Sequence, residues 1–152
     1  MSKGGFLVRV KVKVIDPVKG SGVFAQEFIA EGTLLWIPTL VKKYSRQEVL
    51  LYLSGLADRE QAAIWLRQAF VLDNEPEYLC VNVDDDGRFV NHSSEPNTGF
   101  ASTDRPSIAL KDIAAGEELT CNYSGLGSPQ WYRDLCSSYG VLSTDEVVRK
   151  FA

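Results

Sequence analysis

Arg88-Phe89-Val90-Asn91-His92-Ser93-Ser94-Glu95-Pro96-Asn97 sets a polar cluster directly behind an apolar run, and the rest of the chain can be placed around it. The only histidine sits here between an asparagine and two serines, and Pro96-Asn97 closes the segment as a turn. Taken alone, His92 reads either as a hydrogen-bonded structural residue or as a ligand or base. Just upstream, Tyr78 to Val83 has the pattern of a strand, and Asp84-Asp85-Asp86-Gly87 turns it into the cluster. The acidic triplet is either a solvated loop or a device that steers a cationic substrate.

Working outward, 152 residues with 45% apolar and 24% charged content describe one ordinary globular domain. Such a chain buries roughly 70% of the surface its unfolded form exposes. No apolar run is long enough to span a membrane, and Met1-Ser2-Lys3-Gly4-Gly5 leads into alternating residues rather than a signal core. The expected location is therefore intracellular, nucleus or cytoplasm, and not secreted. Cys80, Cys121 and Cys136 form no CxxC pair and there is no second histidine, which disfavours zinc and a disulfide framework. A net charge of −4 argues against direct nucleic-acid binding and suits a basic polypeptide partner better.

Before the central stretch, Phe6, Val8, Val10, Val12 and Val14 alternate with Leu7, Arg9, Lys11, Lys13 and Ile15, predicting a strand with one apolar face that ends at Asp16-Pro17. Gly20-Ser21-Gly22 follows, where two glycines let backbone approach a bound group closely; it lacks the spacing of a dinucleotide fingerprint. Thr33 to Ile37 reads as a strand stopped by Pro38. Ser45 with Glu48 makes a capping box before Val49, Leu50 and Leu53, and Gly55 stops that helix. Asp58 and Gln61 repeat the signal before Ala62, Ile64, Leu66, Ala69 and Phe70. This helical pair interrupts a β-rich chain and looks inserted.

After the central stretch, Pro106 to Leu110 and Glu118 to Tyr123 read as strands and Ser124 to Gly127 as a loop. Ser128-Pro129 opens a helix through Trp131, Tyr132 and Leu135 with proline at its first position, and Ser143 with Glu146 caps a last short helix. There is also an internal echo. Ala25, Ile29, Ala30 and Gly32 recur as Ala109, Ile113, Ala114 and Gly116, all at one offset of 84 residues. It reads either as chance or as two similar hairpins related by a rough twofold inside one small β-fold.

Gly20-Ser21-Gly22, then Arg88 to Asn97, then Gly116-Glu117-Glu118-Leu119-Thr120-Cys121-Asn122-Tyr123 stand in a definite order. Together they resemble the SET-domain protein lysine methyltransferases, over about residues 6 to 124. The resemblance implies a mainly β chain with short helices: a β-clip of small sheets, a threaded, pseudoknot-like C-terminal segment and a helical insert. It implies a SET domain over 1–125 with the insert at about 44–72, and a helical extension over 126–152 packed on the same domain.

The activity implied is methyl transfer from S-adenosylmethionine to a lysine of a basic protein, a histone tail being the natural case, with no metal. Tyr123 matches the catalytic tyrosine. Gly20, Ser21, Gly22, Asn91 and His92 match the cofactor contacts, with Asn91 accepting from the ammonium and His92 giving mainly backbone groups. Arg88, Ser93 and Asn97 would hold the loop, and Phe89 and Val90 would be core. The zinc-binding cysteine cluster that often follows the last motif is missing. Trp131 is then a candidate to close over the cofactor, and Tyr78, Cys121 and Tyr132 to line the substrate channel, with Trp131 and Tyr132 equally readable as core aromatics. Cys121 stands where a larger aromatic is common, which leaves room for more than one methyl. A homodimer would cover a substrate groove that lacks the zinc cluster. The alternative is a SET module that has lost catalysis and serves as a peptide-binding or assembly domain.

Overall fold

The computed structural model describes residues 5–37, 40–56, 58–83, 85–100 and 106–151; Pro38, the expected strand stop, and Asp84, first of the acidic triplet, lie outside them. In chain order the elements are β1 (Gly5–Phe6), β2 (Val10–Asp16), β3 (Gly20–Ala25), β4 (Leu34–Ile37), β5 (Val41–Ser45), α1 (Arg46–Ser54), α2 (Arg59–Arg67), β6 (Val71–Leu72) and β7 (Tyr78–Asn82). A 3-10 turn at Asp86–Phe89 follows, then β8 (Asn91–His92), β9 (Thr98–Phe100), β10 (Ser107–Ala109), β11 (Glu118–Cys121), β12 (Leu126–Gly127), α3 (Gln130–Ser138) and α4 (Thr144–Lys150). The chain is mainly β with short helices, as the sequence implies. It divides into two compact units, residues 1–40 with 82–122 and residues 41–81 with 123–152.

The first unit holds two four-stranded sheets, ordered β1-β4-β10-β9 and β2-β3-β11-β8. The strand expected from Phe6 onward is split between them: Phe6 pairs with Trp36 in one sheet and Val10 with Ala25 in the other. Phe6, Val8 and Val10 all pack on the same core cluster, so the alternation is real although the hydrogen bonding changes sheets. Val14, expected on the apolar face, is 81% exposed. The register slips between Val14 and Asp16 against β3, and Ile15 turns inward against Gly22 instead. One extra residue in a strand reverses the faces of everything beyond it. Asp16 Oδ1 then accepts from the amides of Val18 and Lys19, closing the turn into β3.

The echo at offset 84 is a true local twofold. Ile29 N donates to Ile113 O at 2.9 Å and Ile113 N to Ile29 O at 2.8 Å. Gly32 N donates to Ala109 O at 2.8 Å, and its image, Gly116 N, donates to Ala25 O at 2.7 Å. Ala109 N to Thr33 O and Ala25 N to Glu117 O form another exchanged pair. Gly32 and Gly116 have φ of +85° and +90°, a conformation that only glycine adopts cheaply. The core repeats the relation: its buried members Ala25, Ile29 and Leu35 are matched by Ala109, Ile113 and Leu119. Even the sheet orders superpose, with β4, β10 and β9 answering to β11, β3 and β2.

In the second unit the capping signals act as written. Ser45 and Glu48 complete a capping box on α1, with Gly55 at its C-cap. Asp58 Oδ1 accepts from Gln61 N at the start of α2. That helix ends at Arg67, so Ala69 and Phe70 lie beyond it; Phe70 instead forms a β-bridge to Cys80, and Ile64 faces solvent. Tyr44, Tyr52 and Trp65 form an aromatic cluster with centroids 4.7 to 5.9 Å apart, Tyr44 edge-on to Trp65. Leu126 and Gly127, expected in a loop, pair with Leu72 and Val71. Pro129 is the N-cap of α3, one residue before the first helical position expected for it. Ser143 and Glu146 box the start of α4.

Candidate functional site

β8 and β11 pair in parallel, Asn91 opposite Thr120 and His92 opposite Cys121, and Ser93 N donates to Cys121 O at 2.9 Å. The same strand is tied again six residues later. Asn97 Nδ2 donates to Glu118 O at 2.8 Å, Thr120 N donates to Asn97 Oδ1 at 2.9 Å, and Thr98 Oγ1 donates to Thr120 O at 2.8 Å. Both ends of the 91–98 segment therefore grip β11. Asn97 spends its amide and its carbonyl on this grip, and Ser93 Oγ accepts from Glu95 N to shape the turn between. Arg88 Nη1 donates to Asp85 O, and Asp85 Oδ1 accepts from Gly87 N and Trp36 Nε1. This carboxylate thus caps the entry turn. Phe89 and Val90, expected in the core, are only half-buried.

The grip places Asn91 against the Gly20-Ser21-Gly22 segment. Asn91 Nδ2 donates to Ser21 O and to Glu118 Oε2, both at 2.9 Å. With two oxygen acceptors on one side, the nitrogen end of the carboxamide must face them. Asn91 Oδ1 accepts no hydrogen bond among the described residues. Gly22 makes the packing feasible: a Cβ there would lie 2.6 Å from both Glu118 Oε2 and Ile15 Cδ1, and 3.1 Å from Asn91 Nδ2. Gly20, at φ +71°, provides the left-handed turn into β3.

His92 is 6% exposed, and burial pushes its pKa below the ordinary value, so the imidazole is neutral at pH 7. Cys121, beside it in register, is half-buried, and desolvation pushes its thiol up to about 12. It is a neutral, weakly polar surface and no nucleophile at physiological pH.

The remaining sequence-predicted residues belong to the second unit. Tyr123 is half-buried, two residues after Cys121, and its carbonyl accepts from Leu126 N. Tyr78 is exposed at the start of β7. Trp131 Nε1 donates to Pro76 O at 2.7 Å, and the Arg46 guanidinium lies 5.6 Å above its ring. Tyr132 is 2% exposed, with its hydroxyl 3.3 Å from Thr144 Oγ1 and its pKa raised by burial, the surroundings of a core residue joining α3 to α4. Sequence reasoning gave no role to Glu118 or Ile15. Glu118 is the second of two adjacent acids at a strand start, and strand alternation sends one of such a pair inward. Ile15 carried no signal, because the bulge that turns it is not written in its type.

A sequence model of the SET domain matches residues 20–124, well over half of the chain. No curated protein matches it by sequence. Among solved structures, the chain is similar to the methyltransferase domain of human histone-lysine N-methyltransferase SETMAR, with 24% identity and a TM-score of 0.51 over 80% of this chain and 46% of that one. It is also similar to ctPRC2 in an autoinhibited conformation bound to S-adenosylmethionine, with 23% identity and a TM-score of 0.52 over 88% of this chain and 17% of that one. The chain spans less than half the length of either, and at these identities the likeness speaks to the fold. With the family match, the parallel β8–β11 pairing and the gripped strand, the chain belongs to the SET domain family.

Proposed function

We propose that the chain is an S-adenosylmethionine-dependent protein-lysine N-methyltransferase acting on a basic protein such as a histone tail, in the nucleus or cytoplasm. The observation that carries the reading is the anchored Asn91 carboxamide, whose Oδ1 is turned away from Ser21 and Glu118. An amide oxygen held in this way fits the ammonium of an amino-acid moiety. When bound, S-adenosylmethionine supplies an electrophilic methyl on a sulfonium. The chain's task is then to hold both partners in line, and near-attack geometry can lower the barrier by several kcal/mol.

The acceptor must be a neutral amine, which costs about 4.6 kcal/mol for an unperturbed lysine at pH 7. An apolar channel lowers that cost by disfavouring the ammonium. The neutral Cys121 thiol suits such a wall, and a small residue there leaves space for more than one methyl. Tyr123, at the motif's tyrosine, would orient the amine through its hydroxyl. The names of the two similar structures, one a histone-lysine N-methyltransferase domain and one bound to S-adenosylmethionine, support the same class.

The test is titration of S-adenosylmethionine by calorimetry, followed by labelled methyl transfer to a histone mixture with mass spectrometry of the product. Saturable binding with turnover that Tyr123→Phe abolishes, while binding survives, is the expected result. Binding without turnover on any basic protein would replace the enzyme reading with a binding module.

A further inference from the structure

Resting on the methyl-donor reading above, we propose that Glu118 is a positioning residue: its carboxylate fixes the orientation of the Asn91 side chain, so that Oδ1 rather than Nδ2 is presented to the donor's ammonium group. The two ends of a carboxamide are nearly the same size, and only their hydrogen-bond partners tell them apart. Ser21 O by itself offers Asn91 Nδ2 one neutral bond at 2.9 Å. Glu118 Oε2 adds a second at the same distance, and a bond to an ionised acceptor is roughly twice as strong as a neutral one. Turning the amide over would set Asn91 Oδ1 against a carbonyl and a carboxylate at once.

Glu118 is itself held in place for this work. It pairs across β3 with Phe24, and its carbonyl takes the Asn97 amide. Its carboxylate occupies the space above Gly22, where a Cβ would come within 2.6 Å of Oε2. The glycine therefore serves Glu118 as well as any ligand. A neutral residue at 118 would leave Asn91 divided between two orientations, one of which offers N–H groups to a cation. The contact of the carboxylate is with the Asn91 amide, and its influence on binding runs through Asn91.

The measurement is calorimetric affinity of wild type, Glu118→Ala and Glu118→Gln for S-adenosylmethionine and for an analogue lacking the α-amino group. Glu118→Ala is expected to weaken S-adenosylmethionine at least about tenfold, a typical loss for a charge-assisted hydrogen bond, and to leave the des-amino analogue unchanged. Glu118→Gln, which can still accept at Oε1, is expected to lose about threefold, again for the amino-bearing ligand alone. If Glu118→Ala does not fold, the Gln variant carries the comparison. Unchanged affinity for S-adenosylmethionine in a folded variant overturns the role, as does an equal loss for both ligands, which would mean general disruption. A wild-type chain that binds neither ligand overturns the donor reading and this role together.

Discussion

Replacing Gly22 by alanine tests the packing at the centre of the site. The new methyl would sit 2.6 Å from Glu118 Oε2 and from Ile15 Cδ1, and 3.1 Å from Asn91 Nδ2. Its backbone is ordinary strand, so the strain is one of space alone. Both crowding atoms are side-chain ends, and the cheaper relief is for the Glu118 carboxylate to swing toward water. That motion breaks its bond to Asn91 Nδ2. Overpacking of this kind costs about 1–3 kcal/mol. Loss of unfolded-state entropy on Gly→Ala returns about 0.4–1 kcal/mol. Taking the middle of both ranges, the net destabilisation is about 1.3 kcal/mol, or a fall in Tm of about 3–5 °C for a chain of this size. Affinity for S-adenosylmethionine should fall about tenfold through the freed Asn91. Gly125→Ala is the control, because a Cβ there meets nothing within 4 Å. Calorimetric melting and titration of the two variants read both effects. A Gly22→Ala protein with the Tm and donor affinity of Gly125→Ala would refute the reasoning.

Three other outcomes follow from the same geometry. Ile29→Ala and Ile113→Ala should each cost about 2–5 kcal/mol in urea unfolding, and the double variant should depart from additivity by at least about 0.5 kcal/mol, since the two residues bridge each other directly; simple additivity would deny the shared core. His92 has a lowered folded pKa, so the unfolded state binds the proton more readily; its contribution is full above about 6.5 and is lost as pH falls through the folded value. Unfolding curves between pH 7 and 4 should show a loss that His92→Gln reduces. For Cys121 the sign is opposite: with its thiol at about 12 against an ordinary 9.0, the neutral form is favoured by folding, and that stability is lost as pH climbs from about 9 toward 12. Iodoacetamide at pH 8 should therefore label Cys121 in urea and spare it in the native chain, as read by peptide mass spectrometry.

What the sequence revealed was what depends on neighbours in the chain or on a repeated pattern. The caps of α1, α2 and α4 are local chemistry, a Ser or Asp reaching an amide three residues on, and each is where the residues place it. The twofold was visible because a glycine at positive φ and a buried isoleucine are both hard to replace. Pairings that only tertiary structure decides were hidden. β6 and β12 are two residues each, too short to show a period. The slip at Val14 depends on the partner strand, so alternation placed a solvent-facing valine inside. At the site, the motifs named Gly22 and Asn91, but the bond that orders them comes from Glu118, 27 residues from Asn91, and from Ser21, 70 residues away.

The twofold also explains why the polar site arises on one sheet and not the other. At offset 84 the image of Glu118 is Leu34, which pairs with Ile108 as Glu118 pairs with Phe24. The image of Gly22 is Pro106, and the strand position that Asn91 fills opposite Thr120 is filled opposite Trp36 by Phe6. One half of the scaffold is thus apolar where the other carries a glycine, an amide and an acid. The symmetry breaks at the fourth strand: β1 joins β4 antiparallel, whereas β8 joins β11 in parallel. A parallel strand cannot arrive through a tight hairpin, so the chain must come round from elsewhere before it meets β11. That detour is what brings a residue from the polar cluster beside the turn at Gly20-Ser21-Gly22. The core pairs Ala25/Ala109, Ile29/Ile113 and Leu35/Leu119 are satisfied on both sides regardless. Stability and site are therefore carried by different residues of one scaffold, and conservative changes at Asn91 or Glu118 should reach ligand affinity before they reach the fold.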